Sequence, residues 1–198
     1  MEQTPEAFAA ALSSGDTARV NQAIDEVKEL DPADRAALFE DCLDRCQDLF
    51  ENGDGYQRQS VVRFEAALYP RLELQTVGME ATDEALPGEW TLEDAAWQRM
   101  RLFGCYSMAL MDDDGRVRQA GIKALEQLAV TLDMIEAEDD LQIIADELAR
   151  YAEHHEGTSS KQKHFDQAYE NVAVHAERSG SLVPEGLREA LDQDESSD

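Results

Sequence analysis

Apolar residues recur along this chain at steps of three and four almost from end to end, and that spacing admits little but helices. The cleanest run is Val117, Ala120, Gly121, Ala124, Leu125, Leu128, Ala129 and Leu132, an unbroken stripe on a 3.6-residue period. No sustained alternation of Val, Ile and Thr occurs, and no hairpin turn joins two such stretches. The pattern predicts an all-α fold of about eight helices with no sheet.

Cap and turn residues set the boundaries. Thr4-Pro5 places a capping side chain before a proline at the first helical position, and predicts a short helix to about Leu12. Gly15-Asp16 opens a second helix with Val20, Ala23, Ile24, Val27 and Leu30 inward. Asp31-Pro32 repeats the cap-then-proline signature and starts a third, which carries Leu38, Phe39, Cys42, Leu43, Cys46, Leu49 and Phe50 on one face. Asn52-Gly53-Asp54-Gly55 ends that helix, and residues 56–72 are expected to form a fourth, with Val61, Phe64, Leu68 and Leu72 inward.

Residues 73–90 break the rhythm and read as an irregular insertion, a length of loop that is usually functional or mobile. Thr91 with Asp94 then forms a capping box for a fifth helix carrying Leu92, Ala96, Phe103, Tyr106 and Leu110. Asp112-Asp113-Asp114-Gly115 turns the chain into the Val117–Leu132 stripe. Two more helices follow, one with Leu141, Ile144, Ala145, Leu148 and Ala152 inward and one with Phe165, Ala168, Tyr169, Val172, Ala173 and Ala176 inward. Residues 1–191 are expected to form a single domain, and 192–198 an acidic, Ser-rich tail.

With 198 residues, 42% of them hydrophobic, the chain can bury a shared core, so its charge must lie on the surface. That charge is extreme: 44 Asp and Glu against 17 Lys and Arg, a formal −27. Such a surface repels itself in dilute buffer, and at molar salt, where the Debye length is roughly 3 Å, the repulsion is screened. Only 4 of the basic residues are Lys against 13 Arg, and the whole bias resembles the proteomes of haloarchaea, which keep molar salt in the cytoplasm. The same negative charge argues against unspecific binding to nucleic acid or anionic membrane. No apolar run approaches the ~20 residues of a membrane span, and no signal-peptide pattern precedes the first helix, so a cytoplasmic location is expected.

Two segments match at an offset of 60 residues: Asp54-Gly55-Tyr56-Gln57-Arg58-Gln59-Ser60-Val61-Val62-Arg63 and Asp114-Gly115-Arg116-Val117-Arg118-Gln119-Ala120-Gly121-Ile122-Lys123. Asp, Gly, Arg and Gln coincide, and a basic residue stands five beyond the Arg in both. Self-similarity of this kind points to a repeat architecture. The second copy resembles a HEAT repeat through Asp114, Val117-Arg118, Ala120-Gly121, Ala124-Leu125 and Leu128. The resemblance covers residues 34–72 and 92–132, with Gln57 in place of Val and Glu65 where the second copy has Leu125. It implies an α-α superhelix of stacked helical hairpins, with Arg58 and Arg118 bonding to turn Asp residues of neighbouring units. It also implies a groove that binds another protein. The period exceeds the ~40–47 residues of a regular HEAT unit, and the 73–90 insertion accounts for the excess.

Candidate site residues follow from these placements. Arg58, Arg63, Arg118 and Lys123 lie on the second helices of the two repeats, and 7 of the 13 Arg fall between Arg58 and Arg118. They suit either a basic partner-binding patch or, for Arg58 and Arg118, a turn-stabilising ladder with the rest in solvated ion pairs. Met79 and Trp90, with Trp97, suit an apolar patch for a partner or a device that folds the insertion back onto the stack. Cys42, Cys46 and Cys105 read as small core residues, and no cofactor or metal is expected. His164 and His175 stand eleven apart, ~16 Å along a helix, too far for one metal; His154-His155 suit a helix C-terminus. No nucleophile elbow, phosphate loop or paired-cysteine zinc motif appears, so no catalytic residue is assigned. The reading is a non-catalytic protein-binding or scaffold module; the alternative is a nucleic-acid-binding or DNA-repair protein related to HEAT-like glycosylases.

Overall fold

A computed structural model describes residues 2–75, 90–154 and 159–181. Among them the chain forms eight α-helices and no strand: α1 (Pro5–Leu12), α2 (Thr17–Glu29), α3 (Pro32–Asn52), α4 (Gly55–Leu68), α5 (Leu92–Met111), α6 (Gly115–Met134), α7 (Glu138–His154) and α8 (Ser159–Ser181). A 3-10 turn, Leu72–Gln75, lies between α4 and α5. Residues 76–89 and the expected tail at 192–198 lie outside the described residues.

The helix starts follow their cap residues. Thr4 Oγ1 accepts from the Ala7 amide at 3.2 Å with Pro5 in the first turn. Asp16 accepts from the Ala18 amide at 2.8 Å. Asp54 and Gln57 form a reciprocal capping box at α4, as Thr91 and Asp94 do at α5. At α3 the proline is in place but Asp31 makes no side-chain cap bond. Each satisfied cap provides partners for amides that have none within the helix.

The fourth helix is shorter than the 56–72 expected from periodicity. It ends at Leu68 because Pro70 has no amide hydrogen to give and its ring would meet the carbonyl four residues back. Tyr69, just before the proline, takes a non-helical conformation, and Arg71 has φ of 53°. Leu72 is still buried, though it reaches the interior from the 3-10 turn.

Consecutive helices pair as hairpins, α1 with α2, α3 with α4, α5 with α6 and α7 with α8. The second helices then pack in chain order, α2 on α4 on α6 on α8, and α1 packs on α3. One continuous core runs through all four pairs, from Phe8 and Leu12 through Phe64 and Tyr106 to Phe165 and Val172. Gly121 sets the α5–α6 approach: an added Cβ would lie 3.1 Å from the Ala109 Cβ and 3.2 Å from the Tyr106 carbonyl oxygen. The 3-10 turn packs against both α3 and α5, so it lies between the first helices of the second and third hairpins. A small separate cluster of Ala36, Leu72 and Ala95 marks that junction.

One position breaks the apolar lining. Glu65 on α4 is 2% exposed, and its Oε2 has no hydrogen-bond partner. Burial pushes its carboxyl up to about 8, opposed by a bond from the Cys105 thiol and by the charge of Arg101. At neutral pH the folded chain therefore holds Glu65 protonated. The same burial raises the thiols of Cys42, Cys46 and Cys105, which makes all three poor nucleophiles.

The folded value of Glu65 lies above the ordinary 4.5, so the folded state keeps a proton that the unfolded state releases between about pH 4.5 and 8. Its contribution to stability is full below that window and declines as pH rises through it. Glu65→Gln should gain stability over the parent chain by an amount that grows from pH 5 to pH 8, of the order of a few kcal/mol, and levels off above. Urea unfolding of both chains across that range measures the difference; a constant difference would contradict the buried, protonated carboxyl.

Candidate functional site

The turns inside the hairpins lie next to one another, and side chains on the second helices join them. Arg58, on the first turn of α4, forks onto Asp112 with Nε 2.6 Å from Oδ2 and Nη2 3.1 Å from Oδ1. Its Nη1 donates to the Gly53 carbonyl of its own turn at 2.6 Å. Arg118, the equivalent residue on α6, donates from Nη1 to the carbonyls of Asp112 at 2.7 Å and Asp113 at 2.9 Å. Its Nη2 reaches Ser160 Oγ on α8 at 3.0 Å. Each arginine thus satisfies carbonyls of its own turn and a group belonging to the next hairpin.

Other contacts extend the ladder in both directions. Gln57 donates from Nε2 to the Ser13 carbonyl in the first hairpin's turn at 2.8 Å, while its Oε1 accepts from the Asp54 amide at 2.9 Å. The Tyr56 hydroxyl meets Thr17 Oγ1 at 3.0 Å. At the other end Lys161 on α8 pairs with Asp113 at 2.7 Å, which lowers the Asp113 carboxyl. Asp114 is lowered to about 2, first by its bonds from Arg116. The turns approach so closely that a Cβ on Gly55 would fall 2.0 Å from Asp114 Oδ2, which explains glycine at that place.

The candidate residues therefore divide. Arg58 and Arg118 converge on the 112–113 turn, Arg58 on the Asp112 carboxylate and Arg118 on its carbonyl. Arg63 and Lys123 are exposed on the neighbouring helices α4 and α6, with Arg63 Nη2 donating to Asn21 Oδ1 on α2 at 2.9 Å. Trp90 is half-buried against the Ala36–Leu72–Ala95 cluster, away from the ladder residues' contacts. Met79 lies outside the described residues. Of the histidines, His175 Nδ1 lies 2.8 Å from Asp133 Oδ2, and His164 belongs to the start of α8 beside Ser160. His155 and the side chain of His154 lie outside the described residues. Among the described residues no group of three or more His, Cys, Asp or Glu is arranged to hold a metal ion.

Two features go beyond the sequence-derived candidates, and of their residues only Trp97 is among those candidates. Arg99 on α5, 7% exposed, pairs with Glu73 of the 3-10 turn and with Asp140 on α7, the latter through Nε at 2.9 Å. One guanidinium thereby fastens the insertion and the fourth hairpin to α5. Its signal was present, since Arg99 stands in three-and-four register with Phe103, Tyr106 and Leu110 on the inward face.

The second feature is the outward face of α5. Trp97, Met100 and Met108 are 42%, 38% and 43% exposed, and with Gly104 they follow one another at steps of three and four. They make an apolar row on solvent, opposite the helix's buried stripe. Trp97 meets Phe39 of α3 edge-on at 6.4 Å, and the Arg101 guanidinium lies over the Trp97 ring at 5.1 Å. Arg101 also reaches Asp44 of α3 at 3.5 Å. Periodicity read for a single inward stripe did not separate this second face from the first.

No protein-family model, curated protein or solved structure matches the chain.

The ladder yields a direct test. The Asp112 side chain is 6% exposed and the Arg58 side chain 25%, so the pair is well shielded. Removing Arg58 leaves a nearly buried carboxylate unpaired, which costs more than the pair contributes. Arg58→Ala should destabilise the chain by about 2 to 4 kcal/mol. Arg58→Lys should recover little, because an ammonium does not reproduce the fork onto both Asp112 oxygens and the Gly53 carbonyl. Asp112→Asn in the Arg58→Ala background should recover part of the loss. Urea melts of the three variants check this; an Arg58→Ala midpoint equal to that of the parent would remove the ladder from the stability of the stack.

Proposed function

We propose that this chain is a salt-adapted, HEAT-like α-α superhelix of the cytoplasm that binds another protein and catalyses no reaction itself. The HEAT-like reading draws support from the repeated arginine that ties each turn to the next hairpin, at Arg58 and again at Arg118. The observation that carries the binding reading is the outward row on α5, where Trp97, Met100 and Met108 stand exposed in succession. Single exposed apolar residues are ordinary, but a row of large ones on one helix face is the usual mark of an interaction surface. Met in particular supplies an adaptable surface that repacks against its partner.

A nucleic-acid role draws less support. Arg58 and Arg118 have their guanidiniums engaged with turn carbonyls and Asp112. Arg63 and Lys123 remain outward, two cations on a chain of formal charge −27. Among the described residues no helix is long and apolar enough to cross a membrane.

Two surfaces compete for the partner, and paired variants separate them. Met100→Glu with Met108→Glu alters the α5 row, and Arg63→Glu with Lys123→Glu alters the outward side of α4 and α6. All four sites are exposed, so both double variants should keep the parent's helical circular dichroism. In affinity purification from the native host, the α5 variant should lose the stoichiometric partner and the α4/α6 variant should keep it. The reverse result would move the binding surface to the second helices, and an unchanged partner in both would dismiss both surfaces. Salt adaptation has its own test: the thermal midpoint should rise steadily between about 0.1 and 3 M KCl as the acidic surface is screened. A midpoint flat across that range would count against it.

A further inference from the structure

The α5 row carries a second peculiarity, at Gly104. Glycine within a helix costs roughly 1 kcal/mol relative to alanine, so its presence in the middle of a 20-residue helix calls for a packing reason. Among the described residues there is none: an added Cβ at Gly104 meets nothing within 4 Å. Gly55 and Gly121, by contrast, each face atoms that a Cβ would strike. The gap at Gly104 lies between Met100 and Met108, where a side chain from outside can approach the helix backbone.

The surroundings of the row are acidic. Asp44 is held beside it by Arg101, and Glu40, Asp41, Asp48 and Glu51 are likewise exposed on α3, where the one exposed cation, Arg45, is paired with Glu6 of α1. The row itself contributes Arg101, and that guanidinium is already engaged by Asp44 and the Trp97 ring. A second copy of this chain, or any acidic partner, would set carboxylates in direct contact with carboxylates and bring no cation to pair them, a short-range loss that bulk salt does not make good.

We propose that the α5 face receives a basic amphipathic helix. Apolar residues three and four apart would lie along Trp97, Met100 and Met108, the largest of them over Gly104, with Arg or Lys flanking them against the carboxylates of α3. Trp97 to Met108 spans eleven residues, ~16 Å or three turns, so a partner segment of three to four turns covers the row. This inference rests on the reading of α5 as the docking face and adds the chemistry of what docks there.

The test is selection from a random displayed peptide library against the full chain in about 0.5 M KCl, where the Debye length is only a few ångström and unspecific attraction to the acidic surface is suppressed. The enriched peptides should carry apolar residues at i, i+3 or i+4 and i+7 with Arg or Lys among them. A synthetic copy should bind the parent chain and bind Met100→Ser/Met108→Ser at least tenfold more weakly. Gly104→Leu should weaken it as much while leaving the helical spectrum unchanged, and Gly104→Ala should raise the thermal midpoint of the free chain and still weaken binding. Glu40→Lys/Asp48→Lys should weaken it several-fold. Enriched peptides that lack basic residues, yet lose binding in the Met100→Ser/Met108→Ser chain, would overturn the basic partner and leave the α5 face standing. Peptides indifferent to Met100, Met108 and Gly104, or no enrichment at all, would overturn both.

Discussion

The stack depends on how hairpin turns are joined, because a helical hairpin buries only part of its apolar surface alone and needs its neighbour in register. Arg58 fixes that register for the second and third hairpins. Its guanidinium has five donors in a rigid plane, and three of the nitrogens are used on two partners from different hairpins, the Gly53 carbonyl and the Asp112 carboxylate. Apolar packing along α4 and α6 is tolerant of small slides, whereas a forked bond is not. The turn's position then determines where α6 starts, and Arg118 repeats the operation toward α8. Register passes from one hairpin to the next through these two residues.

The two departures of the first repeat copy from the second acquire reasons in this setting. Gln57 stands where Val117 stands in the other copy, and it serves the α4 capping box and the preceding turn at once, through Asp54 and Ser13. A valine there would leave both backbone groups without that partner. Glu65 stands where Leu125 stands, and it faces Cys105 and the field of Arg101 across the hairpin boundary. A protonated carboxyl is close to isosteric with an amide and accepts the thiol's hydrogen bond, so the core tolerates it at neutral pH.

The sequence made the helices legible to within a turn because their starts are written in local chemistry: Thr4-Pro5, Asp16, Thr91 with Asp94. The end of α4 was misplaced because apolar spacing continues through Tyr69 to Leu72, and only the covalent geometry of Pro70 interrupts it. The ladder was legible for Arg58, which reaches the next turn's Asp112 as the matching segments imply, whereas Arg118 departs from that expectation: it takes the carbonyls of its own turn and Ser160, because the next hairpin offers a hydroxyl at the start of α8. Arg99 and the outward face of α5 were not, for one shared reason. A helix that packs on several neighbours has no single polar side, so a charged residue can point inward while Trp97 and the methionines point outward. Which of two apolar faces is covered is decided by the neighbouring elements, here α6 beneath α5 and the 3-10 turn beside it.

The 3-10 turn bears on why α5 in particular is left open. In an uninterrupted stack the first helices would follow one another as the second helices do, each shielding part of the next. Here the 3-10 turn enters between α3 and α5, with Leu72 packed on Ala36 and Ala95 and Glu73 held by Arg99. Contact between α3 and α5 is carried toward solvent by Phe39 against Trp97 and by Asp44 with Arg101. The row from Trp97 to Met108 is thus the face of α5 that no described helix covers, next to Asp44 of α3. Apolar side chains of this size remain exposed at a cost of roughly 25 cal/mol for each Å² that a partner would bury. The glycine in the middle of the row forgoes helix propensity as well, and both losses fall on the same few turns.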